Sequence, residues 1–228
     1  MHNLVRIANL FDRIGRWCGK AFGWIIIPLI LVIMFDVITR KLDYTRLMFS
    51  EYSMRHGGIS ISTILQDLQW HFHAVLLMMS FGFGYLANAH VRVDIFRELL
   101  PRKKQAWLEL FGLIIFAIPF AFIMIDESFQ MTALSFQQGE GSESLTGIGM
   151  RWIIKSIVPI GFTVLMGAIL ATLFRLIGML FGNDEVRAEA ERGLEIFTDE
   201  AGELEAARLA AERALMEEGD DLDHGKGH

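Results

Sequence analysis

The sequence predicts an all-α integral membrane protein with four transmembrane helices. Four long stretches carry no Asp, Glu, Lys or Arg: residues 21–35, 68–91, 110–125 and 156–174. Roughly 20 residues at about 1.5 Å rise cross a bilayer core of about 30 Å. The second and fourth stretches are long enough alone. The first and third gain length from residues 37–39 and 106–108, past the single acids Asp36 and Glu109. Backbone groups inside lipid must pair within their own segment, which makes each stretch a helix. Finally, the chain is 53% hydrophobic with a net charge of −6, and that charge is unevenly placed. From Asp184 onward 15 acids face 5 bases, a net of −10, so the first 183 residues carry +4.

Residues 1–20 read as an N-terminal interfacial amphipathic helix. Leu4, Ile7, Phe11, Ile14 and Cys18 share one helical face, and Arg6, Arg13, Arg16 and Lys20 lie off it, at headgroup level if the helix lies flat. A cleaved leader is disfavoured, because Thr39-Arg40-Lys41 follows the apolar run where small residues would be needed. Cys18 is the one cysteine, so an internal disulfide or a cysteine metal cluster is excluded.

The four-helix domain covers residues 21–183. Its first loop holds Gly57-Gly58 and a Ser/Thr run. Its second is short and charged, and Pro101 and Arg102 mark the return into the membrane. Its third is Gly-rich around Gln137–Ser144. Lys plus Arg number at least 10 on the side of the termini against 6 on the other, which places both termini in the cytoplasm. Gly82 and Gly84 in the second span, Gly167 in the fourth, and the Gly178/Gly182 pair at its end read as helix-packing positions. Pro28, Pro119 and Pro159 read as kinks. A phosphate-cradling Gly-Lys-Ser/Thr loop is absent.

His71, His73 and His90 raise the question of a b-type haem. Two axial histidines must face each other from neighbouring helices, whereas His71 and His90 are about 28 Å apart along one helix. His71 beside Trp70 reads instead as an interface anchor. Asp36 and Glu109 lie near span ends, and no internal repeat is evident, which disfavours a self-sufficient solute pathway. Residues 184–228 form an acidic, partly helical cytoplasmic tail. Its apolar residues Leu194, Phe197, Leu204, Leu209 and Leu215 are too sparse for a core.

Specific motifs sharpen this picture. Gln66-Asp-Leu-Gln-Trp-His-Phe opens the second span and Ala89-His-Val-Arg-Val-Asp-Ile closes it. Leu99-Leu-Pro-Arg opens the third, and Arg151-Trp-Ile-Ile-Lys-Ser-Ile-Val-Pro-Ile-Gly-Phe opens the fourth. In this order they resemble the small membrane subunit (Q-type, DctQ-like) of tripartite ATP-independent periplasmic (TRAP) transporters, over roughly residues 21–181. Asp67 stands where the family often has Glu. The tail has no counterpart in that pattern.

The resemblance implies a small permease subunit, not an enzyme, in the bacterial inner membrane. Its partners would be a large elevator-type permease subunit, a periplasmic substrate-binding protein and membrane lipids, with no nucleic acid. It would bind no cofactor; the sodium gradient that usually drives uptake of organic acids would act through the large subunit. The small subunit would brace the static scaffold. Structural and interfacial positions then fall at Asp67, Gln69, Trp70, His71, His90, Arg92, Asp94, Arg151, Trp152 and Lys155. Arg92 and Asp94 would order the inner turn, and Asp67 would cap the second span or meet the binding protein. Arg151 and Lys155 would reach outer phosphates or the partner, and Trp70 and Trp152 would mark the outer interface. A membrane anchor for a redox enzyme and a self-sufficient small transporter are the alternatives.

Overall fold

The computed structural model describes residues 2–55, 60–89, 100–142 and 147–194. Every regular element among them is helical: α1 (His2–Gly23), α2 (Ile26–Lys41), α3 (Asp43–Arg55), α4 (Ile61–Leu86), α5 (Arg102–Gly112), α6 (Ile118–Gln137), α7 (Arg151–Lys155), α8 (Ile157–Phe181) and α9 (Asp184–Arg192), with a π-helical turn at Leu113–Ala117 joining α5 to α6.

Helix breaks follow local chemistry. Pro28 lies in the first turn of α2, where a missing N–H costs nothing, and the chain turns at Trp24-Ile25 just before it. Ser60 caps α4 by accepting from the Thr63 N–H. Asn88, at a left-handed φ of 51°, ends α4. The π turn directly precedes Pro119, whose ring would clash with the carbonyl four residues back in a regular helix; the wider turn absorbs it.

Pair contacts fix the directions. Asp36 meets Gln69, while a Cβ at Gly19 would meet Phe83, so the α1–α2 run is antiparallel to α4. Met78 faces Gly161 and Gly82 faces Val164, so α4 and α8 run parallel. Trp107 meets Phe181, Phe120 meets Phe162 and Phe136 meets Trp152, so α5–α6 runs antiparallel to α8. The result is an up-down-up-down bundle with α8 at its centre, packed on α1, α4, α6 and α9. One end gathers the start of α1, the ends of α4 and α8, the start of α5, and α9. The other gathers the end of α2, α3, the start of α4, the end of α6 and α7.

Several expectations need adjustment. Three helical runs are long and apolar enough to cross a membrane: His2–Lys41, Arg102–Gln137 and Arg151–Phe181. The expected second span, α4, has 26 residues but falls short in apolarity, because Gln69, His71 and His73 occupy its first half. The N-terminal helix is not free along its length. It buries Val5, Ala8, Gly15, Cys18 and Gly19 against α8 and α4, whereas Ile7 and Ile14 of the expected apolar face are exposed. The first loop, read from sequence only as a connection with Gly57-Gly58 and a Ser/Thr run, contains the 13-residue α3. The compact unit runs to Gly193, past the expected boundary at Asn183. Within it α9 packs on α8 and α1. Leu194–His228 form a separate unit, and residues 195–228 lie outside the described residues.

Candidate functional site

Polar groups concentrate at the two bundle ends and, for the most part, are satisfied by one another. At the α2/α4/α7 end, Asp36 is buried in the last turns of α2. Its carboxylate accepts from Arg40 one turn on, 3.0 Å from Nε, and from Gln69 Nε2 across the helix pair at 3.2 Å. Ser62 Oγ lies 3.4 Å away, and the Gln66 amide sits beside the Arg40 guanidinium. Gln69 is thus brought to a buried carboxylate, which is what fixes α2 against α4. A lone acid in an apolar helix needs such partners, since an unpaired buried charge is strongly unfavourable.

Asp67 lies next to this cluster and closes the loop between α6 and α7. Its Oδ2 accepts from Ser142 Oγ and from the Ile148 N–H, each at 2.8 Å. The expected capping of α4 by Asp67 is therefore corrected: Ser60 holds the N-cap, and Asp67 sits too far inside the helix to reach the free amides. A Cβ at Gly147 would lie within 2.2 Å of the Asp67 carboxylate, so this closure needs glycine. Glu140 completes the loop. Its carbonyl accepts from the Arg151 N–H at 3.0 Å, and its carboxylate pairs with Lys155 and stands 3.8 Å from the Arg151 guanidinium. The hydrogen bond from Lys155, first, and then Ser135 and the charges of Lys155 and Arg151 hold the Glu140 carboxyl below the usual range. Lys155 and Arg151, expected to reach phosphates or a partner, are engaged inside the chain. Met150 adopts a left-handed φ of 56° at this point, a conformation that costs a non-glycine residue energy and that the surrounding bonds hold in place.

Trp152 stacks edge-on against Phe136 at 5.2 Å, and Trp70 is 74% exposed on the outer flank of α4. His71 donates from Nδ1 to the Asp67 carbonyl one turn back, which orients its ring along α4. Among the described residues no group of three His, Cys, Asp or Glu is placed to hold a metal ion. A groove of about 400 Å³ between α2, α3 and α4 is bordered by Thr39, Arg40, Ser50, Ser53, Ser60 and Ser62. His90, Arg92 and Asp94 lie outside the described residues.

The opposite end is organised by Arg175, buried in α8. Its guanidinium donates to the Gly193 carbonyl at 2.7 Å, to Asn9 Oδ1 at 3.1 Å and to Asp12 at 3.4 Å. Asp12 also accepts from Arg16 at 3.1 Å. One side chain thereby ties α8, α1 and the residue after α9 together. The sequence reading placed Asp36 near a span end without assigning it partners, and it did not single out Arg175 or Glu140 as site residues. The i,i+4 pairs Asp12/Arg16 and Asp36/Arg40 were the available signals.

Between the ends the surface is largely apolar, with Asp126, Glu127 and Gln130 exposed partway along α6. Ile30, Leu31, Met34 and Val37 of α2 are exposed, as are Phe116, Phe120, Phe122 and Ile123 of the α5–α6 run. The glycines behave unequally. A Cβ at Gly82 would meet Val164 at 2.8 Å, and one at Gly178 would meet Val5 at 3.3 Å and Ala190 at 3.4 Å. One at Gly182 would meet Val186 at 2.8 Å, while at Gly167 the contact with Phe11 is an ordinary 3.4 Å. Gly84 is the correction: a Cβ there meets open space, because two residues turn it about 200° away from the Gly82 face. Gly15, Gly19 and Gly161, not singled out from sequence, are close-approach positions against Leu86, Phe83 and Met78.

The model of one protein family, described as tripartite ATP-independent periplasmic transporters, DctQ component, matches residues 29–179. No curated protein and no solved structure matches the chain. The matched segment begins in α2 and ends in α8. It contains the Asp36 and Asp67 clusters whole, and it contains Arg175 without its partners Asn9, Asp12 and Gly193.

Proposed function

The chain belongs to the DctQ family of TRAP transporter components, and from that premise we propose that it is the small permease subunit bracing the scaffold of a large elevator-type subunit. The family is a transporter family and not an enzyme family, and the apolar helices make this a multi-pass membrane protein. The proposed setting is the bacterial inner membrane. A periplasmic binding protein would deliver organic acids, and an ion gradient acting on the large subunit, usually of sodium, would drive uptake. In this reading α4 is the second of four spans, shielded from lipid on two sides by α2 and α8.

The observation that carries the reading is the distribution of polarity. Asp36, Asp67, Glu140 and Arg175 are each engaged by other residues of this chain, at the bundle ends. Between those ends α2 presents Ile30, Leu31, Met34 and Val37 and the α5–α6 run presents Phe116, Phe120, Phe122 and Ile123, with Asp126, Glu127 and Gln130 exposed farther along α6. Such a body supplies packing area against lipid or another membrane subunit, and these four charges are already committed within it.

The test is competition uptake in vesicles that contain this chain, the large subunit and the binding protein. Omitting the chain should abolish or cripple uptake. Gln69→Ala, Trp70→Ala and Asp67→Ala should change maximal rate or complex yield and leave the ranking of competing substrates unchanged. A reordered ranking in any of them would place part of the transport site in this chain and refute the bracing role.

A further inference from the structure

We propose that the groove where α5, α8 and α9 meet is a binding site for the phosphate of an anionic phospholipid. It encloses about 290 Å³ and is lined by Arg102, Lys103, Met179, Leu180, Arg187 and Glu191. Three bases face one acid, and that acid is already paired: Arg102 Nη1 lies 3.1 Å from Glu191 Oε1. Arg187 is fixed by donating from Nε to the Met179 carbonyl at 3.0 Å. This bond holds its charge over the end of α8, where the helix carbonyls have no onward partners. Lys103 is exposed on the first turn of α5. The groove therefore presents two positive charges that no lining acid balances.

What lies beneath distinguishes a lipid from a free anion. Lys103, Trp107 and Phe111 recur every four residues and so share one face of α5, each about 6 Å deeper than the last. Trp107 is in ring contact with Phe111 at 5.7 Å and with Phe181 at 5.8 Å, and all three rings are exposed. A base, then an indole, then apolar rings is the depth order of headgroup, interface and acyl chain. Met179 and Leu180 give the groove an apolar floor that a free phosphate would not use. The inference needs only the membrane placement of α5 and α8 and stands apart from the transporter reading.

The test is native mass spectrometry of the full-length chain in detergent, titrated with phosphatidylglycerol, phosphatidylcholine and inorganic phosphate. Phosphatidylglycerol should be retained at least fivefold better than phosphatidylcholine. Lys103→Gln should lower its retention about fivefold and Lys103→Glu about 25-fold, following the usual worth of one base near an anionic surface, and Lys103→Arg should restore it. Arg55→Gln, at the other end of the bundle, should change nothing. The exposed position of Lys103 keeps these variants folded, which far-UV circular dichroism checks. Equal retention of the two lipids, or retention unchanged in Lys103→Glu, overturns the site. If millimolar inorganic phosphate displaces phosphatidylglycerol and itself binds with the same Lys103 dependence, the groove takes a free anion and the lipid assignment fails.

Discussion

Asp67 sits about two turns into α4 and holds a loop more than 70 residues away in sequence, through Ser142 and Ile148. Asp67→Ala should leave a backbone amide and a hydroxyl without their charged acceptor, at a cost of about 2 kcal/mol in local stability. Hydrogen exchange at the Ile148 amide should then quicken by roughly 30-fold, and exchange no faster than in the parent would show that the loop is held by something else. Glu140 gives the same loop its pH dependence. Its carboxyl is depressed by the Lys155 hydrogen bond, so its contribution is complete above the usual glutamate range and is lost only as pH falls through the lowered value. After correction for intrinsic rates, exchange at the Arg151 amide should stay flat from about pH 7 to about pH 5 and rise only in stronger acid. Glu140→Gln should abolish that acid rise. Of these contacts, Asp36 with Arg40 was legible as an i,i+4 pair. Asp36 with Gln69, and Asp67 with Ile148, join distant segments, and nothing local in the sequence encodes them.

At the scale of elements, small residues decide which helices touch. Gly82→Leu forces a branched side chain into Val164 and its backbone, and Gly161→Leu does the same at Met78. Each should destabilise the α4–α8 pair by about 1–3 kcal/mol, read as a lower melting temperature in detergent. Gly84→Leu should be neutral in the isolated chain, and a comparable loss there would mean that the Gly84 face is occupied. The three glycines look alike in sequence, and only the direction of each around its helix separates them. Apolar runs made α2, α6 and α8 legible. α3 was not, because its Tyr, Met, Ser and charged residues show no clear helical face. α9 was read as solvated tail for its charge, yet Val186 and Ala190 reach Gly182 and Gly178. Truncation after Gly193 should therefore leave the melting temperature unchanged. Truncation after Asn183 should lower it, since it removes both contacts and the carbonyl that Arg175 donates to. Equal melting temperatures for the two truncations would show that α9 contributes nothing to the bundle.

For the whole molecule, the up-down-up-down order puts the start of α1 and the end of α8 at one end of the bundle, where Val5 meets Gly178 and Arg175 meets Asn9 and Asp12. Both termini of the compact unit therefore lie on one side of any bilayer that the bundle crosses. Charge motivates the proposal that this side is the cytoplasm. Arg13, Arg16, Arg102, Lys103, Lys104, Arg175 and Arg187 belong to the end with the termini. At the far end, Arg40, Arg55, Arg151 and Lys155 are each paired with an acid: Asp36, Glu51, and Glu140 for the last two. Arg16, Arg102 and Arg175 are paired with acids at the near end as well, so the count of 10 against 6 is itself what motivates the proposal that the termini are cytoplasmic. The number of crossings hangs on α4, whose polar first half faces Asp36 and the loop and not the lipid. If α4 crosses, as proposed, a reporter placed after Gly193 should be cytoplasmic and one placed after Gly141 periplasmic. If α4 does not cross, those two reporters still fall on opposite sides, because α8 alone separates them. The discriminating pair brackets α4: a reporter after Arg55 should be periplasmic and one after Asn88 cytoplasmic, whereas α6 and α8 keep Asn88 and Gly193 on one side in either case. Reporters after Arg55 and after Asn88 that fall on the same side would leave three crossings and remove the four-span bundle.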